Sequence, residues 1–162
     1  MMKFMQKFFI LWASLFLLAG CAPKKYEKNE RRLIIIKTPK LKYADLGYLR
    51  RDREEVRMEL FVAGQMVQSI EIDTLVCVDE GCMSKSSFNA EYLHPAYPDD
   101  LLLDVLLARP IFEKASMQIT DDGFIQKLKT TQYNITYKIE NGNIYFKDKQ
   151  NGFLIKITKT KG

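Results

Sequence analysis

The sequence predicts an α+β domain, a strongly curved antiparallel sheet of about eight to ten strands with one or two helices packed in its concave face. Three observations carry this. Short alternating apolar and polar runs, bounded by turn residues, recur towards both ends of the chain, and a period of two marks a half-buried strand. Asp122-Gly123, Asn141-Gly142 and Asn151-Gly152 separate the later runs, and such pairs favour tight hairpins because they tolerate positive φ. One leucine-rich stretch, Leu101 to Ala108, has the wide apolar arc of a helix buried against something large.

The elements follow in order. Leu33-Ile34-Ile35-Ile36 is a β-branched run closed by Pro39. Lys40 to Arg50 carries Leu41, Tyr43, Leu46 and Tyr48, with Gly47 marking a bulge or bend. Arg50-Arg51-Asp52-Arg53-Glu54 reads as a charged turn. Glu55 to Phe61 alternates, with Val56, Met58 and Leu60 on one face and Arg57 and Glu59 on the other, as in an antiparallel strand with one wet face. After Ala63-Gly64 a second alternating strand runs from Met66 to Val78, with Ile70, Ile72, Val76 and Val78 on its apolar face. Ser86-Ser87 ahead of Phe88 to Leu93 has the form of a capped short helix, broken by Pro95 and Pro98. Asp99 or Asp100 caps the leucine-rich helix, which ends at Arg109-Pro110. Strands then resume at Ser116 to Thr120, Phe124 to Lys129, Tyr133 to Ile139, Asn143 to Lys147 and Phe153 to Lys159.

The N-terminus speaks of location. Lys3 and Lys7 precede the apolar run Phe8 to Leu18, which leads into Leu18-Ala19-Gly20-Cys21. A basic start, a short apolar stretch and small residues make a secretory signal, and the run falls short of the about 20 residues that span a bilayer. With a cysteine directly after the small residues, the segment resembles a bacterial lipoprotein lipobox. That resemblance implies removal of residues 1–20 and a Cys21 that carries a thioether-linked diacylglycerol and an amide-linked acyl chain. Two or more chains give a stable membrane anchor. Ala22 stands where an aspartate would retain lipoproteins in the inner membrane of enteric bacteria, so the expected site is the periplasmic face of the outer membrane.

Loss of a 20-residue signal from the 162-residue chain leaves 142 residues, enough for one core. Residues 21–32, polar and rich in lysine, read as a flexible tether, and 33–162 as a single domain. The signal holds two lysines and no acid, so the charge drops from +5 to +3. A spread, modest excess of that kind gives little hold on nucleic acid. No nucleic-acid partner is expected, and the domain is expected to be monomeric.

In an oxidising compartment the two remaining cysteines, Cys77 and Cys82, flank Val78-Asp79-Glu80-Gly81, which reads as a four-residue hairpin turn. Facing cysteines across such a turn meet disulfide geometry. A redox pair or half of a metal site are the rival readings, but the spacing is not Cys-x-x-Cys and zinc needs two further ligands.

Residue chemistry points away from catalysis. The mature chain has one histidine, His94, and Ser84, Ser86 and Ser87 form no nucleophile elbow. Asp121-Asp122-Gly123 lacks the later ligands of a calcium loop. No glycine-rich phosphate loop is present. The expectation is a non-enzyme with no cofactor and no metal.

From Leu60 to Ile111 the order and spacing of elements are similar to the lipoprotein-localisation family, LolA and LolB. Phe61-Val62-Ala63-Gly64-Gln65-Met66-Val67 resembles the family's turn before a strand, often proline-leucine-glycine-glutamine. The strand, hairpin and leucine-rich helix from Asp100 to Ala108 ending at Pro110 follow as they do there. The chain departs from the pattern in lacking the early-strand tryptophan, in its shorter length and in the hairpin cysteines. The resemblance implies an incomplete β-barrel with a helical lid and a LolB-like role, binding acyl chains or lipoproteins in an apolar cleft for envelope lipoprotein localisation. Met58, Leu60, Met66, Ile70, Val105, Leu106 and Met117 are the candidate cleft residues, methionine being adaptable. Phe61 and Val62 are a candidate exposed apolar tip, since LolB carries an exposed apolar loop. The competing reading has these residues filling an ordinary core. The protein is then a non-catalytic, lipid-anchored interaction or structural subunit of an envelope complex, or a surface antigen.

Overall fold

The computed structural model describes residues 24–79 and 81–160; the signal segment 1–20 and Cys21 lie outside the described residues. The strands are β1 (Lys28–Lys37), β2 (Lys42–Arg51), β3 (Val56–Val62), β4 (Gln65–Ile72), β5 (Val76–Val78), β6 (Gly81–Met83), β7 (Met117–Thr120), β8 (Gly123–Lys129), β9 (Asn134–Glu140), β10 (Asn143–Asp148) and β11 (Phe153–Lys159). Between β6 and β7 lie helices α1 (Lys85–Tyr92) and α2 (Leu101–Leu107) and a short 3-10 turn, Phe112–Lys114.

All eleven strands form one open antiparallel sheet in the order β6-β5-β4-β3-β2-β1-β11-β10-β9-β8-β7. Each arm is a meander of sequence neighbours. The arms are joined where the first strand pairs with the last, Ile34 opposite Ile157 and Ile36 opposite Ile155. The free edges are therefore β6 and β7, and the chain between them must cross from one edge to the other. Both helices sit in that crossing. Apolar residues of the two arms face inwards, Ile34, Leu49, Met58 and Ile72 from one and Ile135, Tyr137, Phe146 and Ile155 from the other. Between them α2 buries Leu101, Leu102, Leu103, Val105 and Leu106. It meets β3 in one arm and β10 in the other, so a single helix holds the two arms together.

Register gives the sheet two ends. Val56 pairs with Arg51 and with Ile72, which puts the turns at 52–55 and 73–75 side by side at the lower end. Val62 pairs with Gln65 at the other, upper end, where the 38–41 turn also lies. Ala63 (φ 49°) and Gly64 (φ 80°) close that upper hairpin, the two positive φ values of a type I′ turn.

Several expectations are corrected. The tether ends sooner than predicted, because residues 28–32 belong to β1 and pair with β2. The run from Met66 to Val78 is two strands, since Asp73 Oδ1 accepts from the Leu75 N–H at 3.0 Å and turns the chain. Gly47 is no bulge. A Cβ there would lie 2.7 Å from Ile34 Cδ1 and 2.6 Å from the Glu59 carbonyl oxygen, so glycine permits close approach. The register shift falls instead between Leu60 and Phe61. Ser84, not Ser86, caps α1, its Oγ accepting from the Ser87 N–H at 3.1 Å. Asp100 precedes α2 without capping it; its carboxylate instead takes the Lys85 ammonium at 2.6 Å. The β5–β6 turn is tighter than four residues, because Val78 and Gly81 already pair.

Candidate functional site

An apolar pocket of about 90 Å³ lies towards the upper end, between α1 and the first arm. Met58 of β3, Ile70 of β4 and Leu102 of α2 line it on one side, and Phe88 and Tyr92 of α1 on the other. These two aromatics are four residues apart and so share a helix face. Their rings stack with centroids 4.8 Å apart, 13° from parallel, and make a flat wall. At the rim, Lys40 holds its ammonium 4.6 Å above the Tyr92 ring and 3.2 Å from the Glu91 carboxylate.

Gln68 also lines the pocket, and its Oε1 is buried without a hydrogen-bond partner. An unmet acceptor costs about 1–3 kcal/mol, which a donor arriving in the pocket would recover. The walls suit an apolar group. α1 itself is lightly held: Phe88 and Asn89 are its buried residues, and Asn89 Nδ2 donates to the Pro98 carbonyl at 2.9 Å.

The residues expected to line a cleft are dispersed. Met58 and Ile70 do reach the pocket. Leu60, Val105 and Leu106 are instead fully buried in the packed centre. Met117 is half-buried on β7, at the free edge of the opposite arm. Met66 is 53% exposed, and the β-bulge explains why. Opposite Leu60 stands Gln68, yet opposite Phe61 stands Met66. The extra residue on β4 reverses the alternation and turns Met66 to the convex face.

The candidate tip comes out differently for its two residues. Val62 is 50% exposed. Phe61 is half-buried and packs edge-on against Tyr48, with centroids 5.6 Å apart. Its N–H donates to the Tyr43 hydroxyl at 3.1 Å, and that hydroxyl donates to the Leu46 carbonyl at 2.6 Å. With Met66 and Val67, the hairpin exposes an uncharged apolar tip.

Cys77 and Cys82 are cross-strand partners with Cα atoms 4.0 Å apart and are joined as a disulfide. It closes the short hairpin at one free edge, where β6 lacks an outer neighbour. Comparison with protein-family models, with curated proteins and with solved structures found no match to this chain.

Polar groups elsewhere have local work. His94 Nδ1 accepts from the Ala96 N–H at 3.2 Å. Ser84 and Ser87 hydroxyls bond each other at the start of α1. At the lower end a polar cleft of about 600 Å³ is lined by Asp52, Glu54, Glu55 and Asp73 together with Lys85 and Arg109. Burial and the nearby Asp100 push the Asp104 carboxyl up. Glu55, Glu71 and Asp73 bring carboxylate oxygens within 4.8 Å of one another. The Lys24 ammonium already occupies that cluster, 3.0, 2.6 and 3.5 Å from the three groups. The sequence reading missed Gln68, Lys40 and the Lys24 contact. Only the four-residue spacing of Phe88 and Tyr92 was available to signal the α1 wall.

Proposed function

We propose that the protein is a non-catalytic, lipid-anchored envelope protein of LolB-like type, placed on the periplasmic face of the outer membrane. It takes the end of an acyl chain, borne by a lipid or a lipoprotein, into the pocket beneath α1. The observation that carries this reading is the pocket itself, apolar on both walls. At about 90 Å³ it is smaller than the about 300–1,000 Å³ common for ligand sites. Uptake therefore requires α1 to swing outwards, and its few buried residues make it the element best able to do so.

The test is saturable binding of a fluorescent fatty acid to the Cys21→Ala protein. Gln68→Trp, which fills the pocket from a half-buried position, should weaken binding at least about tenfold and leave the melting curve close to wild type. Absence of saturable binding by the unsubstituted pocket would overturn the reading.

A second reading, a subunit or antigen that binds protein, is favoured by the exposed tip, where Val62, Met66 and Val67 are each about half exposed. Phe61→Glu touches Tyr48 on the convex face and none of the pocket lining. It should leave folding and fatty-acid binding intact. Loss of cross-linking to an envelope partner in that variant would assign the tip to protein recognition; an unfolded variant would make Phe61 a structural residue.

A further inference from the structure

We propose that the Lys24 contact fixes which way up the domain stands on its membrane: the turns at 52–55 and 73–75 face the lipid headgroups, and the Ala63-Gly64 hairpin and the α1 pocket face away. The proposal rests on the reading of Cys21 as the lipid-bearing residue.

The chain just ahead of β1 is tied down. Lys24 reaches Glu55 in the β2–β3 turn, Glu71 near the foot of β4, and Asp73 in the β4–β5 turn. Tyr26 has a buried hydroxyl, and Glu27 lies 3.9 Å from Arg53. All of these partners belong to the lower end of the sheet. From Lys24 back to Cys21 is three residues, a reach of at most about 11 Å. Along β3, at about 3.3 Å per residue, Val62 stands about 20 Å above Val56. A lipid held within the shorter distance keeps its bilayer at the lower end and out of reach of the upper hairpin. The pocket and the apolar tip then meet ligands or partners arriving through the aqueous space, and not lipid drawn sideways from the anchoring leaflet.

Single thiols placed at the two ends test this, since Cys77 and Cys82 are already paired. Thr74→Cys and Gln65→Cys, each in the full lipidated chain, are labelled with an environment-sensitive fluorophore. The protein is reconstituted in vesicles of phosphatidylethanolamine and phosphatidylglycerol that contain a headgroup nitroxide lipid. Quenching should be several-fold stronger at position 74 than at 65, and Lys24→Glu should bring the two towards equality. Equal quenching in the unsubstituted background, stronger quenching at 65, or indifference to Lys24→Glu would each overturn the orientation. Palmitate incorporation, with Cys21→Ser as the blank, and flotation with the vesicles report separately on the anchor. A chain that neither incorporates palmitate nor floats removes the lipid reading and the orientation with it. A floating chain with equal quenching removes the orientation alone.

Discussion

Leu106→Asp is expected to cost more than about 3 kcal/mol and to abolish the cooperative melt of the domain. Leu106 has no exposed surface, and it lies in the helix that meets both arms of the sheet. Even truncation to alanine at such a site costs about 2–5 kcal/mol through lost transfer energy and a residual cavity. The aspartate adds a carboxylate with no partner. Because whole domains are stable by only about 5–15 kcal/mol, a large share of the margin goes with one substitution. Thermal denaturation followed by circular dichroism checks it. A melt unchanged from wild type would place the apolar face of α2 in solvent.

Asp148→Ala should be nearly as damaging, at about 3–5 kcal/mol. This fully buried carboxylate accepts from the Tyr97 hydroxyl at 2.6 Å, from the Asn134 and Gln150 N–H groups at 2.9 Å each, and from Asn151 Nδ2 at 2.7 Å. It joins the connection after α1 to the β10–β11 turn, and alanine strands all four donors. Burial pushes the carboxyl up, but the bonds from Tyr97, Asn134, Asn151 and Gln150 outweigh it and hold the group below the usual carboxylate range. A carboxyl lowered in the folded state contributes fully above its unfolded value of about 4 and loses that contribution as pH falls through the folded value. Denaturant titrations should therefore show the gap between wild type and Asp148→Asn narrowing below about pH 4. A gap constant down to strong acid would refute the assignment.

How much of this was legible in the sequence varies by scale. Local patterns gave the strands and hairpins, because Asn141-Gly142 and the alternation of Val56, Met58 and Leu60 encode their own geometry. The buried helix was legible too, since Leu101 to Leu107 has too little polar surface to sit anywhere else. The interior lining was not. Met66 follows the same alternation as Ile70 on paper, and a single bulge reverses it. Lys24 looked like linker because its partners, Glu55, Glu71 and Asp73, are distant in sequence and assemble only when β2, β3, β4 and β5 lie side by side. Gln68 shares the inward parity of Ile70 and Ile72 and pairs ahead of the register shift, but a polar side chain gave no sign of lining an apolar pocket. Long-range register decides these positions, and periodicity carries no information about it.

The seam between the two arms has a consequence for how the chain reaches its native state. Every other strand pair forms between sequence neighbours, but Lys37 must find Leu154, with most of the polypeptide as the intervening loop. Closing so long a loop is entropically costly and slow compared with zipping a hairpin. The first strand made must therefore wait for the last one. Until that strand arrives, one edge of β1 stays unpaired, a template for pairing with another chain. The polypeptide is most exposed to aggregation in that interval, and a carboxy-terminal truncation that removes Phe153 to Lys159 would make the interval permanent.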